Sequence, residues 1–152
     1  NPAAGRRLAD PAARGGRQGQ AFPWGGATIS HQQANYYSSE SDECDASPTH
    51  GWHPAYTNGG APYTSLEGSF AANGYGLHDM AGNANEWCWD WHGDYSAADQ
   101  TDPHGPTSGT RRILRGFDWF VEGVYAKCAN RGSTFPDAVS FHTDGFRCVK
   151  GQ

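Results

Sequence analysis

The sequence lacks long apolar segments, and it is poor in aliphatic residues and in positive charge. No apolar run approaches the roughly 20 residues that a membrane-spanning helix requires, so we expect no membrane span. Asp and Glu number 16 against 11 Lys and Arg, which gives a formal net charge of −5. Nucleic-acid-binding proteins usually carry a basic stripe, so we also expect no nucleic-acid partner. No signal-peptide pattern is present, and the sequence therefore does not report a compartment.

Glycine and aromatic residues are abundant instead. The 152 residues include 21 Gly, 6 Trp, 7 Tyr and 7 Phe. Each buried aromatic side chain removes roughly 150–250 Å² from water, so aromatic residues can build a core that aliphatic residues do not supply. The length predicts one domain over residues 1–152. The glycines favour turns over long helices, and we predict an α+β fold, loop-rich with short strands and few helices.

Four cysteines are present, and they permit three complete pairings between which the sequence does not choose. They are Cys44, Cys88, Cys128 and Cys148. Reduced, partly buried thiols are an equally open interpretation.

Alternation of residue types predicts the clearest strand. Trp87, Trp89 and Trp91 alternate with Cys88 and Asp90, and a strand places every second side chain on one face. We predict that the three indoles face the core, and we regard a carbohydrate-stacking surface as the weaker alternative. Further strands are expected at 112–115, 127–131 and 146–150, and a short helix at 8–14.

No catalytic motif stands out among the residues. His50 and His53 have a possible metal-ligand spacing, but a catalytic zinc usually takes three protein ligands and no third one is evident. Nucleophile elbows and phosphate-binding loops are absent as well. Residues alone therefore do not predict an enzyme.

Three blocks together resemble the formylglycine-generating enzyme family, also called the sulfatase-modifying-factor family. They are Phe22-Pro-Trp-Gly25, the long block from Asn73 to Trp91, and Arg112-Ile-Leu-Arg-Gly116 with the downstream Cys128-Ala-Asn-Arg131, Pro136-Asp137 and Gly145-Phe-Arg-Cys148. The resemblance covers roughly residues 12–150 and implies that family's variant of the C-type lectin fold. Relative to the family, the N-terminal region is expected to be shortened.

The departures from the family concern its chemistry. Oxidases of the family use two cysteines between their Arg-Gly-Gly-Ser-Trp and Cys-Ala-x-Arg motifs, where soft thiolates bind copper. The corresponding stretch, 120–127, contains no cysteine, and Gly-Gly-Ser-Trp has become Gly116-Phe-Asp-Trp119. The resemblance therefore implies a protein that is not an enzyme. An oxidase or oxygenase working with other metals is the alternative, and a structural module of a larger surface protein is the weaker one.

A second branch of the same fold consists of the variable proteins of diversity-generating retroelements. These display a hypervariable C-terminal surface on a constant scaffold, and replacements here lie between retained positions over about 117–144. The resemblance implies a ligand-binding surface for a protein or other macromolecular partner, at a cell or virion surface if the chain is a display protein. Its candidate residues are Phe117, Asp118, Phe120, Val121, Glu122, Val124, Tyr125, Ser133, Phe135, Ser140, Phe141 and His142. Ordinary drift in surface loops, with the phenylalanines in the core, is the competing interpretation.

The resemblance also implies a structural calcium ion. Asp79 and Glu86 would supply carboxylates, and Gly82 and Ala84 would supply carbonyl oxygens, which are the hard ligands that calcium takes. A second site would use Asn35 and the carbonyl of Tyr36, although the acidic residues downstream match the family less closely. Ordinary loop hydrogen bonds are the alternative for Asp79 and Glu86.

Overall fold

Four short strands form a single mixed sheet in the computed structural model, which describes residues 11–95, 105–138 and 143–148. The strands are β1 (Asn85–Trp91), β2 (Arg112–Arg115), β3 (Gly132–Thr134) and β4 (Asp144–Gly145), in the order β3-β2-β1-β4. β4 pairs parallel with β1, and the other pairs are antiparallel. A 3₁₀ helix (Gly123–Ala126) is the only helix among the described residues, which agrees with the expected loop-rich fold. Within those ranges no helix is long and apolar enough to cross a membrane.

The pairing of β1 with β2 is interrupted by a bulge. Along β1 the register advances from Trp87 to Trp91, whereas β2 advances only from Leu114 to Arg112. The surplus residues of β1 are left without partners, and such bulges redirect side chains. Trp89 lies in this interval and is 88% exposed. The prediction that all three indoles face the core is therefore wrong for Trp89, and Trp87 and Trp91 are half-buried.

Two other predicted strands are displaced. In place of a strand at 127–131, the chain turns, because the amide of Asn130 donates to the Lys127 carbonyl and the next strand begins only at Gly132. The terminal strand is β4, which ends at Gly145, so Phe146 to Cys148 are not in a strand. Residues 149–150 of that prediction lie outside the described ranges. Of the predicted helix at 8–14, the described part, from residue 11, consists of turns.

The main core lies beneath the loops of the first half of the chain. Phe22, Ile29 and Tyr36 are at most 1% exposed, and Cys44 and Ala126 pack with them. The loops are tied across this core by backbone pairs, with the amide of Ile29 donating to the Cys44 carbonyl at 2.9 Å. The largest side chains of this core are aromatic, those of Phe22, Tyr36 and Trp24, and they pack with smaller aliphatic residues, mostly alanines.

A buried polar network crosses the same region. The Tyr36 hydroxyl donates to Asp45 Oδ1 at 2.6 Å, and the amides of Ser39 and Ser47 donate to the same carboxylate. Burial raises the pKa of Tyr36, and the bond to Asp45 raises it further. Burial opposes ionisation of Asp45, but its hydrogen bonds outweigh burial and lower its pKa. The ionised carboxylate therefore organises the turn around it.

Two histidines are buried beside this network. The His31 and His53 rings have centroids 4.8 Å apart, and each side chain is less than 10% exposed. His53 Nε2 donates to the His31 carbonyl at 2.7 Å, while His31 Nε2 lies 3.2 Å from the Tyr36 carbonyl. Nδ1 of His31 is buried without a hydrogen-bond partner. Protonation of Nδ1 would create a buried N–H donor that has no hydrogen-bond acceptor.

We expect acidification from pH 7.5 to 5.5 to lower the free energy of unfolding. Burial lowers the pKa of His31 and repulsion from His53 lowers it further, against the opposing effects of Asp45 and nearby carbonyl groups. Because the unfolded histidine keeps its ordinary pKa of 6.5, the stability it contributes is full above that pH. That stability is lost as the pH falls towards the lower pKa of the folded state.

Urea unfolding at the two pH values measures this effect. The variant His31→Gln should show a smaller loss of stability on acidification than the wild type, because it removes the titrating group. His92→Gln, at an exposed histidine, is the matched control and should behave as the wild type does. An unchanged pH dependence in His31→Gln would assign the effect to other groups.

Candidate binding surface

The segment after β2 begins with an unusual backbone. Gly116 and Phe117 both have positive φ values, 80° and 62°, which turns the chain sharply away from the sheet. Asp118 follows and is only 6% exposed. Its carboxylate accepts hydrogen bonds from Asn85 Nδ2 at 2.5 Å and from the amide of Phe120 at 2.8 Å. Burial raises the pKa of Asp118, and these bonds oppose that shift.

Trp119 fixes the segment against the body of the protein. It is 5% exposed, and its ring packs edge-on against Tyr63 with centroids 5.0 Å apart. Its amide donates to the Asn83 carbonyl at 3.2 Å. Asp118 and Trp119 are thus structural members of the loop, and the candidate Asp118 contributes no exposed side chain to a ligand surface.

Distant residues hold the second half of the segment. The amide of Val124 donates to Asp42 Oδ2 at 2.7 Å, and the amide of Tyr37 donates to the Val121 carbonyl at 3.0 Å. Asn130 Nδ2 donates to the carbonyls of Val124 and Tyr125, each at 2.9 Å. Most of these bonds use the backbone of the segment, so they place few demands on its side chains.

Three aromatic side chains form what we call the loop surface: Phe117, Phe120 and Tyr125. Phe120 is 60% exposed and Tyr125 is 48% exposed. Phe117 is half-buried, with its ring centroid 6.0 Å from that of Tyr125. Aromatic groups held on a fixed loop offer rigid contact area at a low entropy cost. Phe120 lies edge-on to Trp119, with ring centroids 5.5 Å apart. Exposed aromatic side chains carried on one short loop are candidates for contact with a partner.

The remaining candidates of this segment lie below the loop surface. Val121, Glu122 and Val124 are half-buried, and Val124 packs against the main core. Glu122 forms a backbone bridge with Tyr37. These residues therefore pack beneath the exposed aromatic side chains and add little to the surface that a ligand could contact.

Other candidates lie elsewhere. Ser133 is half-buried in β3 opposite Ile113, and its carbonyl accepts a bond from Arg111. Phe135 is 50% exposed, and the Arg111 guanidinium lies 4.9 Å from its ring centroid. Ser140, Phe141 and His142 lie outside the described residues. Phe135 therefore lies with Arg111, the residue before β2, and it does not belong to the loop surface.

The turn expected to bind calcium is occupied by protein donors. Asp79 accepts bonds from the amides of Gly68 and Phe70, at 2.5 and 3.1 Å. Arg147 bonds both carboxylate oxygens of Glu86 through Nε, at 2.6 Å each. The same guanidinium donates to the carbonyls of His78 and Asp79. A cationic side chain therefore already neutralises this oxygen cluster, and in this arrangement the residues do not fit a calcium ion.

The second expected calcium site is not assembled either. Asn35 donates through Nδ2 to the Tyr63 carbonyl, and the Tyr36 carbonyl faces His31. Asn35 Oδ1 is buried without a hydrogen-bond partner, but no carboxylate approaches it in the contacts described. More generally, the described residues contain no group of three or more His, Cys, Asp or Glu side chains able to hold a metal ion.

Two of the four thiols, those of Cys44 and Cys128, are buried. Burial, and then the neighbouring Asp42, raise the pKa of Cys44 to about 12. A thiol with so high a pKa is a poor nucleophile and a poor metal ligand near neutral pH.

Sequence reasoning missed the residues that hold the loop. Both residues bond to Val124: Asp42 lies 82 residues before it in the sequence, and Asn130 lies 6 residues after it. A carboxylate in a polar loop gives no signal that it will cap a distant backbone amide. Of the two, only Asn130 was noted in the sequence, as part of the retained Cys-Ala-Asn-Arg block, and its role in holding the loop was not predicted.

Comparison with known proteins identifies the family. Residues 9–152 match the sulfatase-modifying factor enzyme 1-like domain, and the chain belongs to this family. The formylglycine-generating enzyme of Thermomonospora curvata is 35% identical over 163 residues, covering 96% of this chain and 50% of that protein. The chain spans half or less of the length of the curated relatives it matches.

Two solved structures are similar in fold. Treponema denticola variable protein 1 shares 39% identity with a TM-score of 0.50, over 55% of this chain and 30% of that one. PvdO from Pseudomonas aeruginosa superposes with a TM-score of 0.52 over 86% of this chain and 47% of that one, at 24% identity. The second likeness shows a shared fold only, whereas the first is to a protein called variable.

Proposed function

We propose that this chain is a non-catalytic ligand-binding domain, with a C-type lectin type of fold, that presents a variable surface within about 117–144. The similarity to a variable protein supports this proposal. Its ligand would be a protein or another macromolecule, met at a cell or virion surface.

One observation carries the proposal: the loop separates a fixed frame from exposed tips. Asp118, Trp119, Gly123 and Ala126 are buried, while Phe120 and Tyr125 project into solvent. Replacement of the exposed side chains leaves the buried frame and its backbone hydrogen bonds in place. A rigid scaffold that carries exchangeable contact residues suits the binding of diverse ligands.

Diversification by a retroelement is tested by sequencing the 3′ end of this gene across many cells or virions of one population. We expect changes to concentrate in codons 117–144 and to spare Trp119, Cys128, Pro136 and Gly145. A uniform region, with no template repeat in the source genome, would contradict diversification and leave ordinary divergence as the explanation.

An oxidase or oxygenase is the second candidate, because the family includes formylglycine-generating enzymes. The described site does not favour it: the 120–127 stretch lacks cysteine, and the buried Cys44 has a raised pKa. Oxygen consumption with a thiol substrate, measured with added copper and with added iron, distinguishes the two. Metal-dependent uptake that exceeds the metal-only control would overturn the binding proposal.

We propose that calcium binds this turn only when it displaces the guanidinium of Arg147. To bind the carboxylates of Asp79 and Glu86, calcium has to compete with the guanidinium of Arg147. We expect the rise in melting temperature on adding calcium to be larger in Arg147→Ala than in the wild type, with EGTA as the reference condition. Arg17→Ala, at an exposed arginine elsewhere, controls for the loss of one positive charge. Equal responses in all three proteins would exclude calcium at this turn.

A further inference from the structure

A groove lies on the sheet, apart from the loop surface. Its volume is about 320 Å³, and it is lined by Trp87, Cys88, Trp89, Arg112, Pro136 and Phe146. Trp89, one of the lining residues, lies in the bulged interval of β1. Trp89 and Phe146 are 88% and 77% exposed, which makes this a markedly apolar exposed region of the described chain. Small-molecule pockets usually begin at about this size and are mostly apolar, with a few polar groups that fix orientation.

Arg112 supplies the polar group of the groove. Its guanidinium carbon lies 3.5 Å from the ring centroid of Trp91 and 5.0 Å from that of Trp89. One of its nitrogens, Nη1, donates to the Trp89 carbonyl. The two indoles and this bond hold the guanidinium in place. A guanidinium has five N–H donors, and the bond to the Trp89 carbonyl uses one of them.

The described residues provide no carboxylate counter-ion for the two arginines at this edge. Among the described residues no carboxylate lies within ion-pair distance of Arg111 or Arg112, although acidic residues outnumber basic ones in the chain. Arg111 lies alongside, over the ring of Phe135. Two adjacent guanidinium groups without a carboxylate partner among the described residues, beside an aromatic groove, are complementary to an anion with a flat apolar body.

We propose that this groove binds a small aromatic carboxylate. The ring of the ligand would lie between Trp89 and Phe146, and its carboxylate would accept hydrogen bonds from Arg112. Arg–carboxylate pairs are among the stronger hydrogen-bonded contacts. The site is independent of the loop surface, since it shares none of Phe117, Phe120 and Tyr125.

Titration of 3-phenylpropionate and 3-phenylpropionamide, followed by tryptophan fluorescence and indole NMR shifts, tests this site. The two probes differ in charge and not in ring, so we expect the carboxylate to bind about tenfold more tightly. In Arg112→Gln the two probes should bind with about equal affinity, and Arg112→Lys should retain part of the preference for the carboxylate. Trp89→Ala should weaken both probes at least about fivefold, and it should fold normally because Trp89 is exposed.

Phe120→Ala is the matched control, because it removes an exposed aromatic side chain from the loop surface. It should leave both affinities unchanged. Equal affinity of the two probes in the wild type, no binding up to their solubility limits, or full binding by Trp89→Ala would each overturn the proposal. None of these outcomes bears on diversification of the loop, which the gene sequencing tests separately.

Discussion

Gly82→Ala should lower the free energy of unfolding by about 3 kcal/mol or more. Gly82 has a φ of +74°, and an added Cβ would clash with the Asn35 carbonyl oxygen. That oxygen already accepts the amide of Asn83, and Asn35 and Gly82 form a backbone bridge. Left-handed backbone costs an alanine about 1–2 kcal/mol, and the clash with rigid backbone adds the remainder.

Gly76→Ala provides the matched control for this variant. Its φ of +77° is nearly the same, but no heavy atom lies within 4 Å of its added Cβ. It should therefore lose only the cost of the left-handed backbone, about 1–2 kcal/mol. Urea denaturation followed by tryptophan fluorescence measures both variants. Equal losses would show that the Asn35 backbone does not block an added Cβ at Gly82.

Trp119→Ala should lower the free energy of unfolding by about 3–5 kcal/mol, whereas Phe120→Ala should lower it by less than about 1 kcal/mol. Trp119 is 5% exposed and packs against Tyr63, so its removal leaves a cavity. Phe120, the next residue, is 60% exposed and loses little contact. This pair tests the division of the loop into frame and tips.

Thermal unfolding of the two variants gives the result directly. If Phe120→Ala were as destabilising as Trp119→Ala, Phe120 would be a core residue and the loop surface would not be free to vary. If neither variant were destabilised, the buried position of Trp119 would be in doubt. Tyr125→Ala, at the other exposed tip, should resemble Phe120→Ala.

Local patterns predicted the two central strands, because alternation and short apolar runs mark them in the sequence. They did not predict the bulge: the alternation of Trp87, Trp89 and Trp91 is compatible with a regular strand, and only the pairing with β2 shows that β1 has surplus residues. The exposure of Trp89 follows from that register. Side-chain periodicity therefore predicted the strand β1 correctly and the burial of Trp89 wrongly.

The sequence predicted the position of the candidate surface, but it did not predict contacts between residues that are distant in the chain. Its position between retained blocks was visible in the sequence, and Phe120 and Tyr125 are exposed. The burial of Asp118 was not visible, since it depends on a bond to Asn85, 33 residues away. The association of Phe135 with Arg111 likewise depends on how β2 and β3 pair.

The hydrogen bonds of the loop also limit which sequences it can carry. The amides of Phe120, Val124 and Tyr125 all donate, to Asp118, Asp42 and the Glu122 carbonyl respectively. Proline has no amide proton, so these three positions exclude it whatever ligand is bound. A repertoire built on this chain would accept small, charged and aromatic residues at its tips, and it would lose folded members wherever mutation produced a proline codon at 120, 124 or 125.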